Sequence, residues 1–223
     1  MRNQPENQIE LVLIRHGMTE ANREGRYLGR TDEPLSREGI RRLREKKAAG
    51  LYPELRLLFC SPMRRCLETA QLLYPDAEKR ILTEWTEIDF GAFEGKNYRE
   101  LSGDLRYQEW IDSGGRLPFP EGESREDFLR RSCKGLEQLT AFLDQREREA
   151  GGRTERENGE GLPGERLPVG GIVHGGTIMA LLSTFCGEEY FACQPANGEG
   201  YVCLLERGPE GFRLTKKKRR IGK

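Results

Sequence analysis

The sequence predicts an α/β fold: a three-layer α/β/α sandwich on a mostly parallel sheet. A small helical lid or subdomain is expected over the C-terminal strand edge. Two observations carry this. Short apolar runs alternate with stretches of 3–4 periodicity, which argues for parallel strands joined by crossover helices. Both histidines of the 223-residue chain also follow an apolar run and precede glycine, at Ile14-Arg15-His16-Gly17 and Val173-His174-Gly175. Buried strands that end in tight glycine turns have this form, and an open α/β sheet binds ligands at the carboxyl ends of its strands.

Strands are expected at residues 9–14, 57–60, 80–82, 171–173, 201–205 and 212–214, the last two joined through Gly208-Pro209-Glu210-Gly211 as a hairpin. Ile40 and Leu43 after Ser36 open one helical face; Met63, Cys66, Leu67, Ala70 and Leu73 form a second. Phe128, Leu136, Leu139 and Leu143 form a third, begun by Ser124 with Asp127 three residues on, and Ile178, Leu181, Leu182 and Phe185 form a fourth. One domain is expected over residues 1–215. Within it, 87–123 is the lid or subdomain, and 150–168, rich in Gly, Glu and Arg, is a mobile excursion.

Net charge is formally zero, from 37 basic and 37 acidic residues, but six of the basic ones fall in 216–223 with no acid among them. The remainder, 31 basic against 37 acidic, does not suit a nucleic-acid binder. Residues 216–223 are expected as a solvated basic tail. No apolar run reaches a membrane span, and the first ten residues lack the apolar core of a signal peptide, so the chain is read as cytoplasmic without a membrane partner. The six cysteines show no Cys-x-x-Cys pair or zinc spacing and read as small buried apolar groups. No cofactor is expected and no carboxylate-rich metal site is visible. A homodimer is left open.

Arg15-His16-Gly17 is followed by Thr19 and Asn22; after the second strand comes Ser61-Pro62-Met63-Arg64-Arg65. Two guanidiniums and two imidazoles converging at strand ends would trap a phosphate. Fixed positive charge from Arg15 and Arg65 would keep His16 neutral, hence nucleophilic. A phosphoryl group moved onto His16 leaves an alkoxide that requires a proton donor. Glu87 is the best-placed candidate and Asp89 its rival. Thr19 is equally a turn cap or a ligand contact. Tyr27, Tyr98 and Trp110 either line the substrate side or pack.

Four ordered segments carry a family resemblance: Arg15-His16-Gly17-x-Thr19-x-x-Asn22, Ser61-Pro62-x-x-Arg65, Glu87-x-x-Phe90-Gly91-x-Phe93-Glu94-Gly95 and His174-Gly175-Gly176. They resemble the histidine phosphatase, or phosphoglycerate mutase-like, superfamily over residues 9–206. The resemblance implies His16 as the phosphorylated nucleophile and Glu87 as proton donor. Arg15, Asn22, Arg65 and His174 would form the phosphate pocket, and Gly175, Thr19, Tyr27 and Tyr98 would lie on the substrate side. Of the adjacent arginines 64 and 65, the family pattern selects Arg65.

Mutases of the superfamily carry further basic residues, as that pattern reads, where this chain has Ile88, Tyr98 and Ile111-Asp112 after Trp110. A diphosphorylated acid would therefore meet too few cations. Arg26 to Asp32 and Gly122-Glu123-Ser124 are similar instead to α-ribazole phosphatases and broad-specificity relatives. The resemblance thus implies a phosphatase acting on a small phosphorylated metabolite, possibilities including α-ribazole 5′-phosphate. Mutase-type transfer and an inactive phospholigand-binding relative are the alternatives.

Overall fold

A computed structural model of the chain describes residues 8–151 and 168–223. Its strands are β1 (Gln8–Arg15), β2 (Leu57–Cys60), β3 (Glu78–Ile81), β4 (Val169–Val173), β5 (Gly200–Gly208) and β6 (Gly211–Ile221). The helices are α1 (Glu20–Arg23), α2 (Arg37–Ala48), α3 (Arg64–Leu73), α4 (Leu105–Asp112), α5 (Arg125–Gly151) and α6 (Gly175–Cys186). Of the excursion expected at 150–168, residues 152–167 lie outside the described residues.

The sheet runs in the order β3-β2-β4-β1-β5-β6. The first four strands are parallel, while β5 and β6 add an antiparallel hairpin at one edge. Strand β1 is apolar on both sides because both faces are covered. Its Leu11 and Leu13 pack with Leu136 and Leu139 of α5 and Ile178 and Leu181 of α6. The alternate residues Val12 and Ile14 pack with Leu43 of α2 and Cys66, Ala70 and Leu73 of α3. Three layers result. Trp85 is fully buried and donates its indole N–H to Ser132 O at 3.1 Å, tying the segment before Glu87 to α5.

Local chemistry sets the helix starts. Ser36 caps α2 by accepting from the Gly39 amide at 2.9 Å, and Ser124 Oγ accepts from the Asp127 amide at 3.0 Å at the head of α5. Two residues expected on buried helix faces, Leu67 and Phe185, stay exposed.

The expected basic tail is a strand. Lys216 to Ile221 belong to β6 and pair with Gly200 to Leu204 across two register shifts. As the outer edge, β6 has one neighbour and can carry charge where a central strand cannot. The acidic body supplies the partners: Lys217 meets Glu188 at 2.7 Å, Lys218 meets Glu10 at 2.7 Å, and Arg220 meets Glu199 at 2.6 Å. Among the described residues no helix is long and apolar enough to cross a membrane.

Candidate active site

Strands β1 and β4 are adjacent and parallel, with Arg15 opposite Val173, so His16 and His174 leave the sheet side by side. The His16 amide donates to Val173 O at 2.9 Å. After β1 the chain passes to the α2 and α3 side, and after β4 it passes to the α5 and α6 side. This reversal opens a crevice between the two strand ends. The two imidazole centroids lie 5.2 Å apart, edge to face.

His16 is buried and its Nδ1 lies 2.7 Å from Gly17 O. A carbonyl only accepts, so Nδ1 carries the proton and Nε2 keeps its lone pair. Burial, then Arg65, then Arg15 hold the imidazole well below its ordinary range, and it is neutral at physiological pH. The Gly17 amide donates to Thr69 Oγ1 at 2.9 Å, and that hydroxyl donates to Arg65 O at 2.7 Å, which joins the nucleophile's loop to α3. His174, the residue before α6, has Nε2 2.8 Å from Ser61 Oγ and is also held low by burial and by Arg65.

Arg15 donates to Pro195 O at 2.9 Å, and Arg65 to Thr31 O at 2.8 Å and Gly29 O at 2.7 Å. Each retains a buried Nε–H with no acceptor. Neither forms a salt bridge among the described residues. A fully buried cation, Arg65, and a half-buried one, Arg15, whose side-chain hydrogen bonds go to carbonyls, leave a charge imbalance that an anion would offset. The carbonyls that hold Arg65 are themselves fixed by Glu94, which accepts from the Gly29 amide at 2.9 Å and the Thr31 amide at 3.0 Å. Residue 29 must be glycine because a Cβ there would lie 2.1 Å from Ile88 O.

Glu87 is 8% exposed and accepts from the Ile88 amide at 3.0 Å. Burial raises its carboxyl above the ordinary range, opposed by the amides of Ile88 and Gly176 and by both arginines. A Cβ on Gly176 would fall 2.4 Å from Glu87 Oε1, so glycine lets the start of α6 approach the carboxylate. Arg131 of α5 braces the segment from behind, donating to Glu84 O at 2.8 Å and Glu87 O at 3.0 Å and pairing with Glu123 at 2.7 Å.

These groups border a cavity of ≈ 350 Å³. Seven of the residues singled out from the sequence line it: Arg15, His16, Asn22, Tyr27, Glu87, Trp110 and Gly175. Arg65 and His174 are fully buried and outside that lining, yet Arg65 depresses both imidazoles. Asn22 Oδ1 accepts from the Thr19 amide at 3.3 Å and from Asn197 Nδ2 at 3.0 Å, which leaves its own Nδ2 as the donor side.

Two expected substrate contacts fall elsewhere. Thr19 is the cap of α1, accepting from the Asn22 amide at 3.2 Å, and is fully buried away from the cavity. Tyr98 is 61% exposed, outside the lining, with Arg99 over its ring. The alternatives also resolve: Arg64 points outward to Glu68, and Asp89 pairs with Arg30 at 3.1 Å without lining the cavity. Arg125, Tyr190, Phe191 and Gln194 line it without having been expected to. No short motif marks them; they come from α5 and the segment after α6.

The family model of the histidine phosphatase superfamily (branch 1) matches residues 11–150. The adenosylcobalamin/alpha-ribazole phosphatase of Salmonella typhimurium is 31% identical over 140 residues, 61% of this chain and 69% of that protein. A 2,3-bisphosphoglycerate-dependent phosphoglycerate mutase of Rhizobium etli is 32% identical over 131 residues, 54% of this chain and 62% of that one. Among solved structures, the putative alpha-ribazole-5'-P phosphatase of Escherichia coli superposes with a TM-score of 0.72 at 21% identity, covering 95% of this chain and 96% of that one. A phosphoglycerate mutase of Thermus thermophilus gives 0.65 at 30% identity, covering 96% and 98%. With the family pattern matched over most of its length, the chain belongs to the histidine phosphatase superfamily and is an enzyme of its phosphatase class.

Proposed function

We propose that this protein hydrolyses phosphate monoesters of a small metabolite in two steps, without a metal, through a phosphohistidine at His16. One observation carries the reading: a neutral imidazole with a free Nε2 lines the cavity beside two guanidiniums, Arg65 fully buried and Arg15 half-buried, that form no salt bridge among the described residues. In the first step His16 Nε2 attacks phosphorus, the P–O ester bond breaks, and the Glu87 carboxyl gives its proton to the leaving oxygen. In the second, water attacks phosphorus, the N–P bond breaks, and the Glu87 carboxylate takes the proton from that water.

The negative equatorial oxygens need positive charge and hydrogen-bond donors against them throughout. Arg15 and Arg65 supply the charge, and His174, the Asn22 amide and the amides at the start of α6 supply donors. Gly17 O steadies the Nδ1 proton as the phosphorylated ring becomes cationic.

The curated relatives named for alpha-ribazole phosphatase make α-ribazole 5′-phosphate the first substrate to try. Ile88, in the cavity wall where the mutase pattern has a cation, argues against phosphoglycerate mutase transfer. Six free cysteines, four of them fully buried in the core clusters, suit a reducing cytoplasm. Turnover of an aryl phosphate in excess EDTA tests the function. His16→Ala should abolish turnover while inorganic phosphate still binds; undiminished activity in that variant would refute the reading.

A further inference from the structure

Three arginines line the cavity, and two are accounted for. Arg15 faces the phosphoryl group on the reading above. Arg26 is neutralised by Glu24 at 2.7 Å and Glu100 at 2.6 Å. Arg125 is different. Among the described residues it has no carboxylate partner and donates no hydrogen bond. Its guanidinium packs on aromatic rings, with Cζ 3.8 Å from the Tyr190 centroid and 5.5 Å from that of Phe191.

Arg125 is the first residue of α5, where the helix dipole disfavours a cation, and neither acid of the same turn, Glu126 or Asp127, pairs with it. Asp127 is already engaged by Ser124 and by Arg130 at 2.8 Å. A half-buried cation therefore stands in a cavity wall with its π face used and its in-plane N–H donors unspent. That edge is the part of a guanidinium that fits a carboxylate in a two-point fork.

The wall beside it is aromatic: Tyr27, Phe90, Trp110, Phe119 and Phe191. Trp110 and Phe119 stack at 4.8 Å, and the Trp110 indole N–H is buried without an acceptor. Two of the polar groups left over here, the Arg125 edge and the Trp110 N–H, are donors only. A flat ring carrying an acceptor is complementary to such a surface; a small hydroxy acid would leave most of it uncovered.

We propose that Arg125 is a specificity residue for the leaving group, and that the cavity selects phosphate esters of planar aromatic alcohols bearing a carboxylate or similar anionic acceptor. This rests on the phosphatase reading. The probes are matched esters with near-equal leaving groups: 3- and 4-carboxyphenyl phosphate against the corresponding carbamoylphenyl phosphates.

The wild-type enzyme should favour one carboxylate isomer over its amide by about tenfold in kcat/KM, expressed mainly in KM, as for one partly exposed charge-assisted contact. Arg125→Met should bring that ratio near one, and Arg125→Lys should restore part of it. Equal use of acid and amide by the wild-type enzyme would overturn the proposal, whatever the variants do. So would a Met variant that loses activity on both esters alike, because Arg125 would then act on the transferred phosphate. Turnover of none of the four esters would instead strike the phosphatase reading itself.

Discussion

Replacing Glu87 by Gln keeps the size and removes the proton. Among the described residues Glu87 is the sole carboxylate lining the cavity, so no neighbouring acid there can substitute for it. General acid catalysis contributes roughly 10²–10⁴-fold, which is about 3–5 kcal/mol of barrier. That contribution should depend on the leaving group. With an alkyl phosphate the departing alkoxide needs the proton, so Glu87→Gln should lose the full factor in kcat/KM. With 4-nitrophenyl phosphate the phenolate leaves unaided, and the loss should stay within about tenfold. Wild-type kcat/KM on the alkyl ester should also fall as pH rises and the raised carboxyl ionises, and this limb should vanish in the variant. Stopped-flow or steady-state assays on both esters decide it. Equal losses on the two esters would refute the role of Glu87 as acid and leave it a structural group.

Gly176→Ala places a methyl 2.4 Å from Glu87 Oε1 and 3.0 Å from the Phe128 ring, so it should misplace the acid. A loss of about 10²-fold in kcat is expected, as displacements near 1 Å can cost that much; a wild-type kcat would show that Glu87 is not held there. Trp85→Ala removes a fully buried side chain and should destabilise by about 3–5 kcal/mol in a urea titration; a change under ~1 kcal/mol would contradict the packing described. Burial and the arginines hold His16 and His174 below 6.5, so below that pH the unfolded chain binds more protons than the folded one. Their contribution to stability is complete above pH 6.5 and shrinks as pH falls, by up to about 1.4 kcal/mol per unit per histidine. Glu87, raised rather than lowered, has the opposite sign, its contribution shrinking as pH rises through 4.5 and upward. Guanidinium midpoints should therefore decline more steeply from pH 7 to 5.5 in the wild type than in His174→Gln, and parallel curves would count against a neutral buried His174.

The strands themselves and the meeting of the two histidines could be anticipated because each depends on short, contiguous signals: an apolar run, a glycine turn, then helical spacing. The arginine pair at the start of α3, soon after β2, was similarly visible, and the family pattern was needed to choose Arg65 from it. Long-range bracing was not. Arg131 reaches the Glu87 carbonyl across 44 residues, and nothing around Arg131 distinguishes it from the other arginines of α5. The same holds for Arg125, whose role depends on Tyr190 folding over it. Lys216 to Arg220 read as a tail because five consecutive charges lack period-two alternation. They form a strand because β5 offers an open edge and the neighbouring surface offers acids. Tyr98 was misplaced for a related reason: family-like spacing fixed its register but could not say which way the loop faces, and it faces water.

The central claim is a covalent bond between His16 and the transferred phosphoryl group. Rapid acid-free quenching during turnover of a ³²P-labelled ester, followed by peptide mapping, should find alkali-stable, acid-labile label on the peptide containing His16 and none in His16→Ala. A turning-over enzyme that carries no label under those conditions, or carries it on another residue, would contradict the account.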